Sequence, residues 1–497
     1  MNMNRALFRL SLAVLLMFVL LLLNVNYVQA FQSTSLANRP GNARTFDAQF
    51  QYQRGSIVAA GTGGPTTIAE SVPTKASTSG NTIYQRHYPD GPMYAAITGY
   101  DSIYGATGVE SAYSKDLEGT APGLAVHNLI SLLTGKAKQG ASVNLTVSPA
   151  AQKAAYQALQ QEGRQAGVVA LNPRTGAILA MDSYPSYNPN LLTTFDGTKL
   201  NKVDKQLLTQ PSQPLLNRAI NQTYPPGSSF KIITGAAGFS TGKLASPQTT
   251  VSAPQPLRLP NGNFLNNDGD ETCFGGQPQV IQAFLLSCNT AFANIGMKVG
   301  GPALQSQANK FGWNDANLTI PMQVSPSVIP KETDPSFTAM GSIGQFDDQV
   351  TPLQEALDAA AIANHGTLMK PYLLQSVLAP DLTTIASTTP SVLSQAVTPQ
   401  VASDMQSMMV QVTQNTAGTA YQTAGPPAVG SLVIAGKTGT AENTVSGAGL
   451  DDAVFTCFAP ANNPQIAVGV IVKGGGFGAD AAAPIAVKII EAYLGVH

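Results

Sequence analysis

The chain predicts an α+β fold: an antiparallel sheet flanked by helices, preceded by a β-rich module and an apolar N-terminal segment. Three observations carry this. The first residues pass from basic to continuously apolar. A turn-rich, aromatic stretch of short strand-like pieces comes next. After residue 145 the order becomes strand, strand, helices, strand, strand, helix, which an antiparallel sheet with helices packed on it satisfies. A chain of 497 residues is long for one domain, and the composition shifts divide it into 1–30, 31–145 and 146–497.

Arg5 and Arg9 precede the run LSLAVLLMFVLLLL. Positive charge ahead of an apolar run keeps the start in the cytoplasm and sends the downstream chain across the membrane. Leu10 to Val28 supplies about the ~20 residues of a spanning helix. Val28-Gln29-Ala30 also has the small-residue spacing of a signal-peptidase site. An anchor and a removable leader are therefore both open, and either places the remainder outside the cytoplasm. Residues 31 to about 75 are rich in Gly, Ser, Thr, Asn and Gln, with RGSIVAAG strand-like among them, and RHYPDGPMYAAITGYDSIYGATG continues an irregular β-rich module.

ASVNLTVSPAAQKAAYQAL reads as a strand and a helix started by Pro149. GVVALNPRTGAILAMDSYP reads as a hairpin. VIQAFLLSCNTAFANIGMKV and VTPLQEALDAAAIANHG are helical stretches. SLVIAGKTGTA, AVFTCFAP and QIAVGVIVKGG return to strands, with a turn at Ala461 to Pro464, and APIAVKIIEAYLG closes the chain as a helix.

Composition excludes several classes. The net charge of −1 offers no basic field for nucleic acid. A hydrophobic fraction of 43% supplies a core. The four histidines, His87, His127, His365 and His497, fall in no HExxH or Cys/His spacing, so neither a metal site nor a cofactor is expected. No G-x-S-x-G elbow occurs. AGKT at Ala435 to Thr438 resembles a phosphate loop, but the glycine that spacing requires is Ser431, with Gly430 one residue too early. Of the three cysteines, Cys273 and Cys288 close the shorter loop and can pair in an oxidising compartment; three buried thiols are the alternative. Cys457 lies in an apolar run and reads as core.

YPPGSSFKIITG, Tyr224 to Gly235, stops the chain with two prolines and a glycine and then begins a helix. Ser228 and Lys231 stand one turn apart there, on one face. A serine hydroxyl attacks well only with a base in reach, and lysine is a base only when burial or a nearby cation lowers its pKa. The helix N-terminus favours the alkoxide that forms. The spacing alone is weak evidence, since Ser240 and Lys243 repeat it at a helix end. Ser287-Cys288-Asn289 forms an S-x-N triplet, which also begins at Ser79, Ser142 and Ser186. Lys437-Thr438-Gly439-Thr440 is the single K-[ST]-G, on a strand whose lysine and hydroxyls can hold a carboxylate.

The ordered set S-x-x-K, S-x-N, K-T-G resembles the signature of penicillin-binding proteins and serine β-lactamases. The chain looks most like a class B penicillin-binding protein of the A type. YQRGSIVA, YPDGPMYAAITGY and GATGVE are similar to that family's N-terminal dimerisation or pedestal module, and GVVALNPRTGAILAMDSYPSYNPN, YPPGSSFK, SCNTAFA and GKTGTAE to its transpeptidase domain. The resemblance implies a peptidoglycan D,D-transpeptidase, held in the bacterial cytoplasmic membrane by residues 1–30 and catalytic outside it. Its partners would be stem peptides, β-lactam antibiotics and a glycosyltransferase or divisome or elongation complex. Ser228 would be the nucleophile and Lys231 its base. Ser287 would relay a proton, Asn289 would hold Lys231 or the substrate amide, and Lys437 would attract the substrate carboxylate and depress the Lys231 pKa. Thr438, Gly439 and Thr440 would bind substrate, with the N–H groups of Ser228 and Thr440 as the oxyanion hole. No ExxLN stretch occurs after Asn289, so slow deacylation is expected. Val454 and Cys457 depart from the family by replacing an aromatic and a glycine. A β-lactam-hydrolysing or sensing relative and a non-catalytic wall-assembly scaffold are the competing readings.

Overall fold

The structure, a computed structural model, describes residues 3–32, 50–61, 64–74, 82–135, 137–442 and 451–496. Residues 33–49 of the expected N-terminal module and the Ser79 triplet lie outside the described residues. Two compact units are present, one of residues 1–53 and 72–85, the other of 54–71 and 86–497.

In the first unit, α1 (Met3–Tyr27) runs into a π-turn at Val28–Gln32. The span Phe8–Gln32 has mean hydropathy 2.4 and none of it is buried. It is long and apolar enough to cross a membrane.

In the second unit, β1 (Ile57–Ala59) pairs antiparallel with residues 66–69 of β2 (Thr66–Thr74) and parallel with β3 (Ser142–Leu145). Helix α2 (Pro149–Glu162) is next, capped by the Ser148 side chain on Ala151 N–H, started by proline and ended by Gly163 in the left-handed region. The hairpin β4 (Ala166–Leu171) and β5 (Ile178–Tyr184) comes after it. A 3₁₀ turn, Gly227–Phe230, leads into α3 (Lys231–Ser240).

The expected helical stretch from Val280 is two helices, α4 (Val280–Leu285) and α5 (Asn289–Val299). Ser287 breaks it with φ +60. Helix α6 (Pro352–Ala363) is buried along its whole length. The hairpin β6 (Leu374–Leu378) and β7 (Thr384–Ser387) then rejoin the first sheet, β6 pairing antiparallel with β3. Residues 374–387 thereby extend the sheet that holds β1 and β3. Strands β6 and β7 are mostly exposed or half-buried and carry no sequence signal for which sheet they join.

After α7 (Pro399–Gln414), the strands β8 (Ala435–Ala441), β9 (Asp452–Ala459) and β10 (Ile466–Val472) complete a five-stranded antiparallel sheet ordered β8-β9-β10-β4-β5. The first and last described strands of this sheet in chain order stand adjacent where β4 pairs with β10, although β10 lies some way on in the chain. Strands β9, β10 and β4 are buried throughout. They read as continuous apolar runs because both faces are covered. Helices α2 and α8 (Gly478–Leu494) pack together on one face, while α6 packs on β10, β9 and β4 from the other. On β9, Thr456 Oγ1 donates to the Glu355 carbonyl of α6. Strand β8 is the outer strand beside the Gly227–Phe230 turn.

Candidate active site

The 3₁₀ turn carries the chemistry. Its three-residue repeat eclipses side chains at i and i+3, so Ser228 and Lys231 stack directly, with Lys231 Nζ 2.9 Å from Ser228 Oγ. Gly227 makes the turn possible. Its φ is +56, and a Cβ there would lie 2.4 Å from the Thr440 carbonyl oxygen. Gly439 serves the same contact from the strand, where a Cβ would lie 2.7 Å from the Pro226 oxygen. These two glycines let the serine turn sit directly against β8.

Lys231 is fully buried. Its Nζ lies 2.6 Å from the Ser287 carbonyl oxygen, 2.7 Å from Asn289 Oδ1 and 3.2 Å from Ser287 Oγ. A neutral amine has two N–H donors and one lone pair. Spending the donors on the Ser287 carbonyl and Asn289 leaves the lone pair for the Ser228 hydroxyl proton. Burial, and then the charge of Lys437, push Lys231 well below the ordinary lysine range, with Asp268 opposing. Lys437, also fully buried, donates to Ser287 Oγ at 2.9 Å and to the Thr438 carbonyl at 2.8 Å. Burial lowers it to about 7, against the pull of Asp268.

Ser287 thus bridges the two amines. It does so from a left-handed backbone that a serine rarely adopts, strain of order 1–3 kcal/mol that the surrounding bonds must offset. Asn289 donates from Nδ2 to the Asn266 carbonyl at 3.3 Å and to Asp268 Oδ1 at 3.1 Å, which orients its oxygen toward Lys231. Cys273 and Cys288 are joined in a disulfide, so the residue between Ser287 and Asn289 is tied to the preceding loop. Cys457 is free and buried.

On β8, alternation turns Lys437 and Gly439 to one face and Thr438 and Thr440 to the other. Thr438 Oγ1 lies 2.8 Å from Thr419 Oγ1, and Thr440 is half-buried. The structure therefore brings Ser228, Lys231, Ser287, Asn289 and Lys437 into one bonded cluster, with Thr438, Gly439 and Thr440 along its edge.

Several contributors carried no motif. Phe292 and Phe284 lie with ring centroids 5.9 Å from Lys231 Nζ and 5.7 Å from Lys437 Nζ; both flank the S-x-N triplet in sequence, which was the available signal. Asp268 and Thr419 sit in polar loops whose composition distinguishes them from no other loop.

Residues 166–491 match the family of the penicillin binding protein transpeptidase domain, and residues 54–143 the penicillin binding protein A dimerisation domain. The chain belongs to the penicillin-binding protein transpeptidase family. Among relatives of this penicillin-binding protein, it is 41% identical over 504 residues to the peptidoglycan D,D-transpeptidase PbpA of Mycolicibacterium smegmatis, covering 99% of each chain. It is 38% identical over 509 residues to PbpA of Mycobacterium tuberculosis, again covering 99% of each. Solved structures of penicillin-binding protein A from M. tuberculosis superpose on it. The ceftriaxone acyl-enzyme complex has a TM-score of 0.83 at 37% identity, over 90% of this chain and 99% of that one. The penicillin G acyl-enzyme complex gives 0.81 at 37% identity, over 89% and 100%.

Proposed function

We propose that this chain is a peptidoglycan D,D-transpeptidase working through a serine acyl-enzyme, and that β-lactams inhibit it by acylating the same serine. The observation that carries the reading is the Lys231 amine, fully buried, pushed well below the ordinary lysine range and held by the Ser287 carbonyl and Asn289 against the Ser228 hydroxyl.

Ser228 Oγ attacks the carbonyl of the penultimate D-Ala of a stem peptide while Lys231 takes its proton. The oxyanion is met by the N–H groups of Ser228 and Thr440, a contribution often worth about 3–4 kcal/mol. Expulsion of terminal D-Ala needs a proton on its nitrogen. Ser287, placed between the two amines, passes it from Lys231. An acceptor amine from a neighbouring strand then attacks the ester, returning Ser228 and forming the cross-link. The hydroxyls of Thr438 and Thr440 receive the carboxylate of donor peptide or penicillin, and Lys437, buried behind them beside Ser287, attracts it.

The apolar helix Phe8–Gln32 supports an anchor in the bacterial cytoplasmic membrane, with the 31–145 module and the 146–497 transpeptidase domain outside it. Polymerised glycan would come from a glycosyltransferase in a divisome or elongation complex, since no such segment is recognisable in this chain. Against β-lactam hydrolysis stands the lack of an ExxLN carboxylate to activate water; against a mere scaffold stands the bonded set Ser228–Lys231–Ser287–Asn289–Lys437.

The test is the intact mass of the penicillin-treated ectodomain tracked over hours, beside Ser228→Ala. One adduct that persists on the wild type and never forms on the variant is expected. A transient adduct with penicillin consumed would indicate a β-lactamase, and no adduct would indicate a scaffold.

A further inference from the structure

Helix α6 carries a carboxyl that the reaction above does not use. Glu355 is 1% exposed, and its Oε1 lies 2.7 Å from the hydroxyl of Ser229, the residue after the nucleophile. That same hydroxyl lies 2.8 Å from the Pro226 carbonyl oxygen. Ser229 has one proton for two oxygens. Both contacts are hydrogen bonds only if Glu355 is protonated and donates to Ser229 Oγ while Ser229 donates to Pro226. An ionised Glu355 takes the Ser229 proton for itself and leaves the Pro226 carbonyl without it.

The Pro226 carbonyl matters because it belongs to the peptide that enters the turn. The N–H of that same peptide, on Gly227, donates to the Gly344 carbonyl at 2.9 Å. The Pro226–Gly227 peptide is thus held at both ends, one bond before Ser228, and its oxygen rests against Gly439 of the K-T-G strand. We propose that Glu355, in its neutral form, is a positioning residue: the chain Glu355 to Ser229 to Pro226 sets the plane of the peptide that presents Ser228 to Lys231 and β8. This rests on the acyl-enzyme reading of Ser228.

The surroundings favour the neutral form. The strands packed on α6, β4 and β10, bear no titratable side chain. Those on its other neighbours are Asp452 and Cys457 of β9, Asp404 of α7, and Lys231 beyond the serine turn. On α6 itself stands Asp358, which accepts from Trp313 Nε1 and Gln354 Nε2. Burial raises Glu355 to about 8, with the Ser229 bond opposing, and Asp358 is pushed well up by burial and then by Glu355. A folded value above the unfolded one means that the neutral carboxyl stabilises fully below the unfolded pKa, and that this contribution is lost as pH rises through about 8.

The experiment compares second-order acylation by penicillin from pH 6 to 9 in wild type, Glu355→Gln, Glu355→Leu, Ser229→Ala and the Glu355→Leu/Ser229→Ala double variant, with unfolding midpoints alongside. Glutamine always donates and never ionises, so Glu355→Gln should stay within about twofold of wild type at pH 6 and exceed it progressively above pH 8. The lysines are common to both proteins and cancel in the ratio. Glu355→Leu and Ser229→Ala should each lose roughly tenfold, the scale of one buried hydrogen bond, and the double variant no more than either single one. A flat Glu355→Gln to wild-type ratio, or losses that multiply in the double variant, would overturn the relay while leaving the acyl-enzyme intact. A wild type that takes up no penicillin would overturn the acyl-enzyme reading and the relay with it.

Discussion

Two clusters of buried cations in this molecule solve the same electrostatic problem in opposite ways. In the first, Arg54 and Arg86 close on the fully buried carboxylate of Glu110, at 2.8 and 2.5 Å. Glu118, Asp101 and the Tyr88 hydroxyl join the set. Burial would raise Glu110, yet Arg86 and Arg54 hold it below its usual value. Burial would likewise lower Arg54, and the carboxylates lift it instead. In the second, Lys231 and Lys437 share a cleft with neutral oxygens, and the carboxylate in that network, Asp268, meets Asn289 rather than either amine. Both lysines are pushed down. Charge kept and paired makes a joint. Charge disfavoured makes a base. Arginine suits the first because it stays protonated and forks onto carboxylates, and lysine the second because its pKa yields to burial.

The largest expected contrast comes from exchanging a member of each cluster. Lys231→Met should cut acylation by penicillin about 10²–10⁴-fold, the scale of a lost general base. Its unfolding midpoint should hold or rise, because an apolar side chain replaces a buried amine. Glu110→Gln should do the reverse. Arg86 loses its carboxylate and Arg54 keeps only Glu118 and Asp101, which costs about 3–5 kcal/mol, read as a lower denaturation midpoint, while the folded fraction acylates at the wild-type rate. Comparable effects of both variants on both readouts would dissolve the distinction.

A smaller effect is expected at the edge of the cleft. Thr419→Ala removes the partner of the Thr438 hydroxyl and should lower acylation about fivefold, one neutral hydrogen bond of about 1 kcal/mol. An unchanged rate would show that Thr438 is oriented by the strand alone.

Much of this was legible in the sequence because it rests on short-range rules. Continuous apolar runs mark β9 and β10, and proline beside a capping hydroxyl opens α2 and α6. The three motifs name five residues that the structure joins by direct bonds. What was not legible depends on partners far along the chain. The stretch from Val280 has helical composition throughout, and only the bonds from Lys231 and Lys437 to Ser287 account for a break there. Glu355 sits in a helix pattern like any exposed glutamate, and its burial comes from the Ser229 turn and β10 closing over it. The hairpin Leu374 to Ser387 suits either sheet by composition, and only its pairing with Ser142–Leu145 decides between them.

If Lys231 is the base, its amine is uncharged in the resting cleft, and a titration of that one amine decides the matter. Protein carrying ¹³C at lysine Cε would be monitored by NMR from pH 5 to 11, with Lys231→Met and Lys437→Met assigning the signals. A lowered pKa leaves the folded protein neutral while the unfolded chain is still charged, so the penalty for burying Lys231 fades as pH rises toward 10.5. Expected are a Lys231 signal already neutral well below that pH, a Lys437 midpoint at about 7, and a Lys231 midpoint that moves up in Lys437→Met. A Lys231 signal that titrates with the surface lysines, unmoved by loss of Lys437, would contradict it.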